Sequence, residues 1–564
     1  MNAELLLAHF DRISDAPDAV PRLRRFVLDL AVRGKLVEQD PTDEQALALL
    51  KRIEVEKRRL TKVSGLKHPD LLPVNPNEVP FDLPSSWAWM RVGWGFQYDA
   101  GAKREPSALL PDRWLLELED IEKDTSVVQS RLTVKDRDSR STKSEFLAGD
   151  ILYGKLRPYL NKVVVADEDG YSTTEIVAIR SFVPMSPSYC CLAFRRPDFV
   201  AYVSQVGRGT KMPRLRTEDA LVALFPVPPL AEQYRIVAKV DELMALCDRL
   251  EVAQRERESR RDRLAASTHH HLNNGADAEF LRVHAQFFIG HLPRITAHPE
   301  QIKQLRQTIL NLAVRGKLVS QHPSDKPIAE LLREIRREQD RQAKQGIIPK
   351  RKPAKQDNAM NLCPEFPACW ANVEFMSLCN IVTSGSRGWA EHYADKGPRF
   401  LRAQNIRFGQ LRLDNPAYVN PPASSEGIRT RVSKGDLLIV ITGAGVTNPA
   451  LLEENLGEAY VSQHVALIKP TNTELSPWLL LYLMADHGGR SMLVERAYGS
   501  GKPGLNLDNI RSLPIPLPPL AEQHRIVAKV DELMALCDQL EARLTTAQTE
   551  ASRLLESVLY NALQ

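Results

Sequence analysis

The stretch PPLAEQYRIVAKVDELMALCD begins at Pro228 and returns as PPLAEQHRIVAKVDELMALCD at Pro518, an offset of 290 with one exchange, Tyr234 for His524. A long-period internal repeat constrains a fold more than any local propensity does. A second pair agrees: LAVRGKLV stands at Leu30–Val37 and again at Leu312–Val319, offset 282. Weaker echoes lie between, LPSSW ending at Trp87 with FPACW ending at Trp370, and GDIL at Gly149 with GDLL at Gly435. The chain therefore reads A–T1–B–A′–T2–B′, with near-copied A and B segments and T segments that share little beyond a skeleton. One fold used twice, with a pseudo-two-fold internal repeat, is the expectation. Contacts of A with B′ and of A′ with B would make the order cyclic. The implied division is 1–80 (helical), 81–228 (T1), 229–355 (helical, with a linker), 356–518 (T2) and 519–564 (a closing helix).

In B′, Ile526, Val530, Leu533, Cys537, Leu540, Leu544, Ala547, Ala551, Leu554 and Val558 alternate spacings of four and three, a heptad seam. The proline-rich entry cannot continue such a helix backward. The first copy keeps Ile236, Val240, Leu243, Cys247 and Leu250, then turns polar at Gln254, Arg257 and Arg261. Each A segment reads as helix, VRGKL turn and second helix, with Thr42 or Ser324 as N-cap. The basic tails KRIEVEKRRLTK and PKRKPAK read as solvated faces and linker. In the T segments, GDILYGKL, GDLLIVIT, NKVVVAD and HVALIKP read as strands and PWLLLYLMA as a helix. The fold class is α+β: two α+β domains, with two long helices that could pair with each other as a coiled coil.

With 43% apolar and 26% charged residues, the 564-residue chain has an ordinary globular composition. Its apolar runs fall short of the roughly 18–20 residues of a membrane span, and MNAELLLAHFDRISD carries no secretory signal. Seven cysteines without a regular framework fit reduced thiols in a cytoplasm. The net charge of +4 permits an anionic partner without demanding one.

Catalytic motifs are not found. GSGKPG at Gly499 lacks P-loop spacing. TGAGV at Thr442 follows an apolar strand but lacks the third glycine of a dinucleotide turn. The run His269–His271 has no partner ligands at metal spacing and reads as a polar helix end, and no C-x-x-C pair offers a zinc site. Recognition or scaffolding is favoured over catalysis; a duplicated protein–protein scaffold that reads no DNA and an enzyme with a motif too scattered to see are both open readings.

LNLAVRGKLV, GDILYGKLRP, GSGKPGLNLDNIRSLPIPLPP and PLPPLAEQ-x-RIVAKVDELMALCD together resemble the specificity (S) subunit of bacterial type I restriction-modification systems, over essentially the whole chain. The resemblance implies a non-catalytic subunit whose two target-recognition domains, T1 and T2, each read half of a split double-stranded DNA site. It implies docking of two methyltransferase subunits, and of restriction/translocase subunits, through the repeated helices, a pair of long antiparallel coiled-coil helices that separates the two domains. S-adenosylmethionine, ATP and Mg would belong to those partners, with no cofactor in this chain.

Arg and Lys suit guanine, Asn and Gln adenine, and acids cytosine N4. LLELEDI (Leu115–Ile121) aligns with FLRAQNI (Phe400–Ile406), setting Glu117, Glu119 and Asp120 against Arg402, Gln404 and Asn405. Other DNA-contact candidates are Lys155, Arg157, Tyr159, Lys162, Lys211, Arg214 and Arg216 in T1, and Gln463, His464, Lys502 and Asn506 in T2. Partner or coiled-coil contact is assigned to Ile236, Val240, Leu243, Leu250, Ile526, Val530, Leu533, Leu540, Leu544 and Leu554.

Overall fold

The computed structural model describes residues 16, 18–64, 71–137, 139–207, 209, 211–275, 278–349, 366–385, 388–421, 425–499, 501 and 503–563. The tail from 350 to 355 and Lys502 lie outside them. Seven long helices are found among the described residues: α1 (Ala19–Val32), α2 (Ala46–Ser64), α3 (Leu230–Asn274), α4 (Ala278–Ile295), α5 (Pro299–Val314), α6 (Ile328–Lys344) and α7 (Leu520–Leu563). The chain divides into two compact units, one of residues 1–257 with 548–564 and one of residues 258–547.

Each T segment contains a four-stranded antiparallel sheet of one topology. In T1 the order is Phe96–Tyr98, Ile176–Ser181, Ile151–Gly154, Val163–Val165; in T2 it is Cys379–Ser384, Val465–Pro470, Leu437–Val440, Pro449–Leu451. The apolar runs GDIL and GDLL become central strands buried on both faces, as continuous rather than alternating hydrophobicity requires. A bidentate Arg180–Asp150 pair at 2.7 Å ties strand Ile176–Ser181 to the turn that starts its neighbour Ile151–Gly154, and Lys469–Asp436 at 2.6 Å ties Val465–Pro470 to the start of Leu437–Val440. Helices Pro187–Phe194 and Ser476–Met484 cover the sheets, and Tyr189 and Trp478 bond the carbonyls of Pro226 and Pro516. Entry and exit strands pair, Ala88–Arg91 with Leu224–Val227 and Ala371–Glu374 with Pro514–Leu517, so each segment leaves where it entered.

The copied residues make copied contacts. Glu232, in the first turn of α3, is 1% exposed and accepts from Trp87 Nε1 (3.0 Å) and Gln39 Nε2 (2.6 Å); Glu522, in the first turn of α7, is 0% exposed and accepts from Trp370 (3.0 Å) and Gln321 (3.0 Å). Burial pushes the Glu232 carboxyl up, against the lowering pull of Gln39 and Trp87. Arg235 pairs with Asp43 and Arg525 with Asp325, each at 2.6 Å. Arg24 reaches Asp248 and Glu251, and Arg306 reaches Asp538 and Glu541, at 2.7 and 2.9 Å in both. Gly34 and Gly316 take φ +69° and +68°, and an added Cβ would strike Pro84 or Pro367 within 2.5 Å. Only glycine closes that turn under its tryptophan. Thr42 and Ser324 do not cap: α2 begins at Ala46 and α6 at Ile328, and Thr42 instead bonds Asp40.

The seam residues serve their own unit's core. Ile236 and Val240 are buried with the T1 sheet, with Leu243 partly buried beside them, and Leu250 is half-buried. Ile526 and Val530 join the T2 core, with Leu533, Leu540 and Leu544 packed against it. Farther along α7, Ala551, Leu555, Val558 and Leu559 bury against Phe26 and Leu30 of α1, and Leu554 only flanks them. The core position is Leu555 because the heptad frame drifts on a 3.6-residue helix. This is the A–B′ contact. The A′–B contact occurs in the other unit with polar chemistry. Glu258 meets His298, Gln301 bonds Asp262 and Thr308 bonds His269, while Ala265 and Leu272 pack with Phe288 and Ile295 of α4. The histidine run is not wholly a polar end, because His269 is 6% exposed and bonds Thr308 at 3.0 Å.

Trp87→Phe and Trp370→Phe each leave a buried glutamate short of a donor, an expected loss of about 1–3 kcal/mol, equal within error in the two copies by chemical denaturation. Burial lowers the His269 pKa from 6.5 to about 4. The unfolded chain takes up this proton first as pH falls, so the contribution is complete above roughly pH 6.5 and is lost as pH falls toward about 4, near 1.4 kcal/mol per unit. His269→Phe is expected to reduce the slope of stability against pH in that window.

Candidate nucleic-acid interface

Four chain pieces meet at one side of the T1 sheet. The first is the 3₁₀ turn Leu118–Asp120, capped by Glu117. The second is the loop from Lys155 to Lys162, the third the turn at Thr173–Glu175, and the fourth the run from Pro213 to Arg216. Lys155 N bonds Glu175 O (2.9 Å), Arg157 N bonds Pro213 O (2.7 Å), Leu215 N bonds Lys155 O (2.9 Å), and Lys162 Nζ bonds Leu118 O (2.7 Å).

T2 repeats the arrangement with other residues. Arg402 holds the N-cap position of Ala403–Asn405, and its backbone N–H donates to Asn405 Oδ1. Ile441 N bonds His464 O, Gly443 N bonds Pro503 O, and Leu505 N bonds Ile441 O, each at 2.9 Å. The bridge Leu156–Arg214 of T1 becomes Thr442–Gly504. TGAGV is thus the counterpart of the KLRPY loop. The turn with Gln463 and His464, whose side chains lie 3.3 Å apart, is the counterpart of Thr174 and Glu175. Both correspondences were open to the sequence, since GDIL/GDLL and YSTTEIVAIR/YVSQHVALIK carry the registers, yet Thr174 and Glu175 were not singled out there and TGAGV was weighed only as a nucleotide turn.

The structure redistributes the candidate residues. Asp120 is buried, and its carboxylate accepts from Glu117 N, Ser130 and Arg137; Asn405 is buried, accepting from Arg402 N and donating to Arg412 O, both at 2.9 Å. These two residues are corrected from base readers to cap residues: their hydrogen-bonding groups are already used inside the fold. Glu117 pairs with Arg137 at 2.8 Å, and Arg402 bonds Asn415 O at 2.9 Å. Glu119 and Gln404 are exposed at the same place in the two turns and bond no described residue. Arg214 is held by Glu175 and Arg216 by Asp219, which keeps the Arg216 pKa above the usual arginine value. Asn506 caps the helix Leu507–Arg511 by accepting from Asp508 N. Lys155 is half-buried, while Arg157, Tyr159 and Lys211 are exposed.

Among the described residues no group of three or more His, Cys, Asp or Glu side chains could hold a metal ion, and no helix is long and apolar enough to cross a membrane.

Residues 428–548 match the family described as "Type I restriction modification DNA specificity domain". The chain is 28% identical to the type I restriction enzyme EcoAI specificity subunit of Escherichia coli, over 96% of this chain and 93% of that one. It is 27% identical to the EcoEI specificity subunit of Escherichia coli, over 96% and 94%. Over nearly its whole length the chain is thus similar to type I specificity subunits. A solved structure described as "Structural basis underlying complex assembly and conformational transition of the type I R-M system" shares the fold, with TM-score 0.52 and 20% identity over 86% of this chain and 99% of that one. Type I specificity subunits are the non-catalytic components of their systems, with catalysis in partner subunits.

Asn405→Ala strands the Arg402 amide and the Arg412 carbonyl, an expected cost of about 1–3 kcal/mol, whereas Gln404→Ala is expected to stay within about 0.5 kcal/mol of the parent. Urea denaturation of the two variants checks this contrast.

Proposed function

We propose that T1 and T2 each read one half of a bipartite, asymmetric double-stranded DNA target, and that the chain docks methyltransferase and restriction subunits on that DNA. One observation carries this reading above the rest. Two copies of one backbone frame present different polar side chains at equivalent places, Glu119 against Gln404 and Thr174–Glu175 against Gln463–His464. A shared frame with unlike hydrogen-bonding character suits two unlike half-sites, because base edges are told apart by their donor and acceptor patterns.

In this reading α3 and α7 form the antiparallel coiled-coil pair that spaces the half-sites, and the repeated helices carry the docking surface for two methyltransferase subunits. Methylating a base within a duplex requires its extrusion, so one subunit holds the site while another performs the chemistry. S-adenosylmethionine, ATP and Mg enter with those partners, and the assembly works in the cytoplasm.

Methylome sequencing of cells expressing this chain with its methyltransferase subunit is expected to give a split motif. A single continuous motif, or none, sinks the proposal. Gln404→Ala is expected to weaken discrimination at the T2 half-site by about 1–3 kcal/mol while leaving the T1 half-site unchanged, in a competition assay with each half-site scrambled in turn. Equal loss on every sequence removes Gln404 from base reading.

A further inference from the structure

The loop at Lys155–Lys162 and its counterpart at Ile441–Asn448 close the same turn, Leu160 N to Arg157 O at 2.9 Å and Val446 N to Gly443 O at 3.1 Å. At its first position both chains run left-handed, with φ +51° at Arg157 and +90° at Gly443. Glycine takes that backbone freely, and an arginine does so at a cost. Inside T1 the backbone of Arg157 is held by Pro213 O and Leu160 N, but its side chain adds no polar contact among the described residues. The exposed Arg157 guanidinium has no hydrogen-bond or ion-pair partner among the described residues, whereas Arg214 and Arg216 are held by carboxylates and Lys162 by a carbonyl. A Cβ added at Gly443 would meet nothing within 4 Å, so the T2 turn faces open space where T1 places its side chain.

The next position differs in the opposite sense. T1 has Pro158, which has no N–H, where T2 has the exposed Ala444. The amides of Ala444 and Gly445 bond no described residue. What T1 offers with a guanidinium, T2 offers with backbone N–H groups at the same corner of the frame. The two kinds of group have in common that they donate and do not accept. The T2 side chains at the corner, Gly443, Ala444 and Gly445, carry no hydrogen-bonding group, so hydrogen-bonded base reading by side chains is not what the two corners share. A non-glycine residue kept left-handed although its side chain has no internal contact points to an external one.

We propose that the two corners are equivalent phosphate clamps on the DNA, made by the Arg157 guanidinium in T1 and by the Ala444 and Gly445 amides in T2. Phosphate oxygens accept from either kind of donor, and such contacts set the register on which base reading depends. The inference rests on the DNA-reading function proposed above.

The test uses the full chain, with fluorescence anisotropy across a salt series on two duplexes, one of random sequence and one carrying the motif found by methylome sequencing. Arg157→Gly is expected to weaken both duplexes by the same factor, about 3–10-fold, and to lower the slope of log K against log salt by about one. Its Tm is expected to equal or exceed that of the parent, because glycine relieves the left-handed residue. Arg157→Lys is expected to restore most of the slope. Ala444→Pro removes the T2 amide as T1 already does, and it is expected to weaken binding with little change of slope, because no charge is lost.

An unchanged affinity and slope in Arg157→Gly overturns the proposal. So does a loss confined to one base pair, which marks base reading, and so does a fall in Tm, which marks a structural role. A parent chain that binds the motif no better than random DNA overturns the DNA-reading function itself, a result distinct from any of these.

Discussion

A buried glutamate at the first turn of each long helix organises its unit. Glu232 and Glu522 are taken from water within a turn of a proline-rich entry, where the helix N-terminus favours negative charge, and each is met by an indole N–H and a glutamine amide. The tryptophan comes from the start of the T segment, the glutamine follows the first A helix, and the glutamate opens the B helix. One carboxylate thereby fixes three stretches of chain that sequence separates by up to about 200 residues. A buried carboxylate without its donors costs several kcal/mol, so the three are held together or not at all. The neighbouring glutamine adds a second tie: Gln233 and Gln523 donate to the carbonyls of Pro228 and Pro518. This explains why the PPLAEQ motif is copied so closely.

On that clasp the T segments diverge widely and keep their frame. Ladder registers, the Arg180–Asp150 and Lys469–Asp436 pairs, and the capped 3₁₀ turns recur at matched positions, while the side chains aimed outward do not. The contrast of Glu117, Glu119 and Asp120 with Arg402, Gln404 and Asn405 thus splits into parts of different meaning. Asp120 and Asn405 perform one cap by different chemistry, since a carboxylate and an amide oxygen each accept the backbone N–H. Glu119 and Gln404 differ without internal consequence, and there a difference can carry specificity.

The two contacts between a first helix and the far end of a long helix are made by different chemistry. α1 meets α7 through Phe26, Leu30, Leu555 and Val558, and α5 meets α3 through Gln301 with Asp262, His298 with Glu258 and Thr308 with His269. The polar turn of the first copy after Leu250 therefore keeps its contact by exchanging apolar burial for ion pairs and hydrogen bonds. Partly exposed pairs contribute less than burial of a comparable apolar surface, so the polar contact is the weaker of the two.

Much of this was legible in the residues. The repeat gave the segment order and the expectation of A–B′ and A′–B contact. Continuous apolar runs gave the central strands of both sheets, and the heptad spacing gave α7. These follow from backbone periodicity, which a sequence carries explicitly. Which polar residue faces outward did not follow, because a side chain's freedom depends on partners far along the chain: Arg137 for Asp120, Glu175 for Arg214, Thr308 for His269. Nor could the sequence alone show that an arginine and a glycine occupy the same left-handed corner, since only the paired strands beneath it fix that register. The sequence by itself determined the duplication and its elements; the tertiary structure decided which groups remained unsatisfied at the surface, because hydrogen-bond satisfaction is a property of contacts that only folding creates.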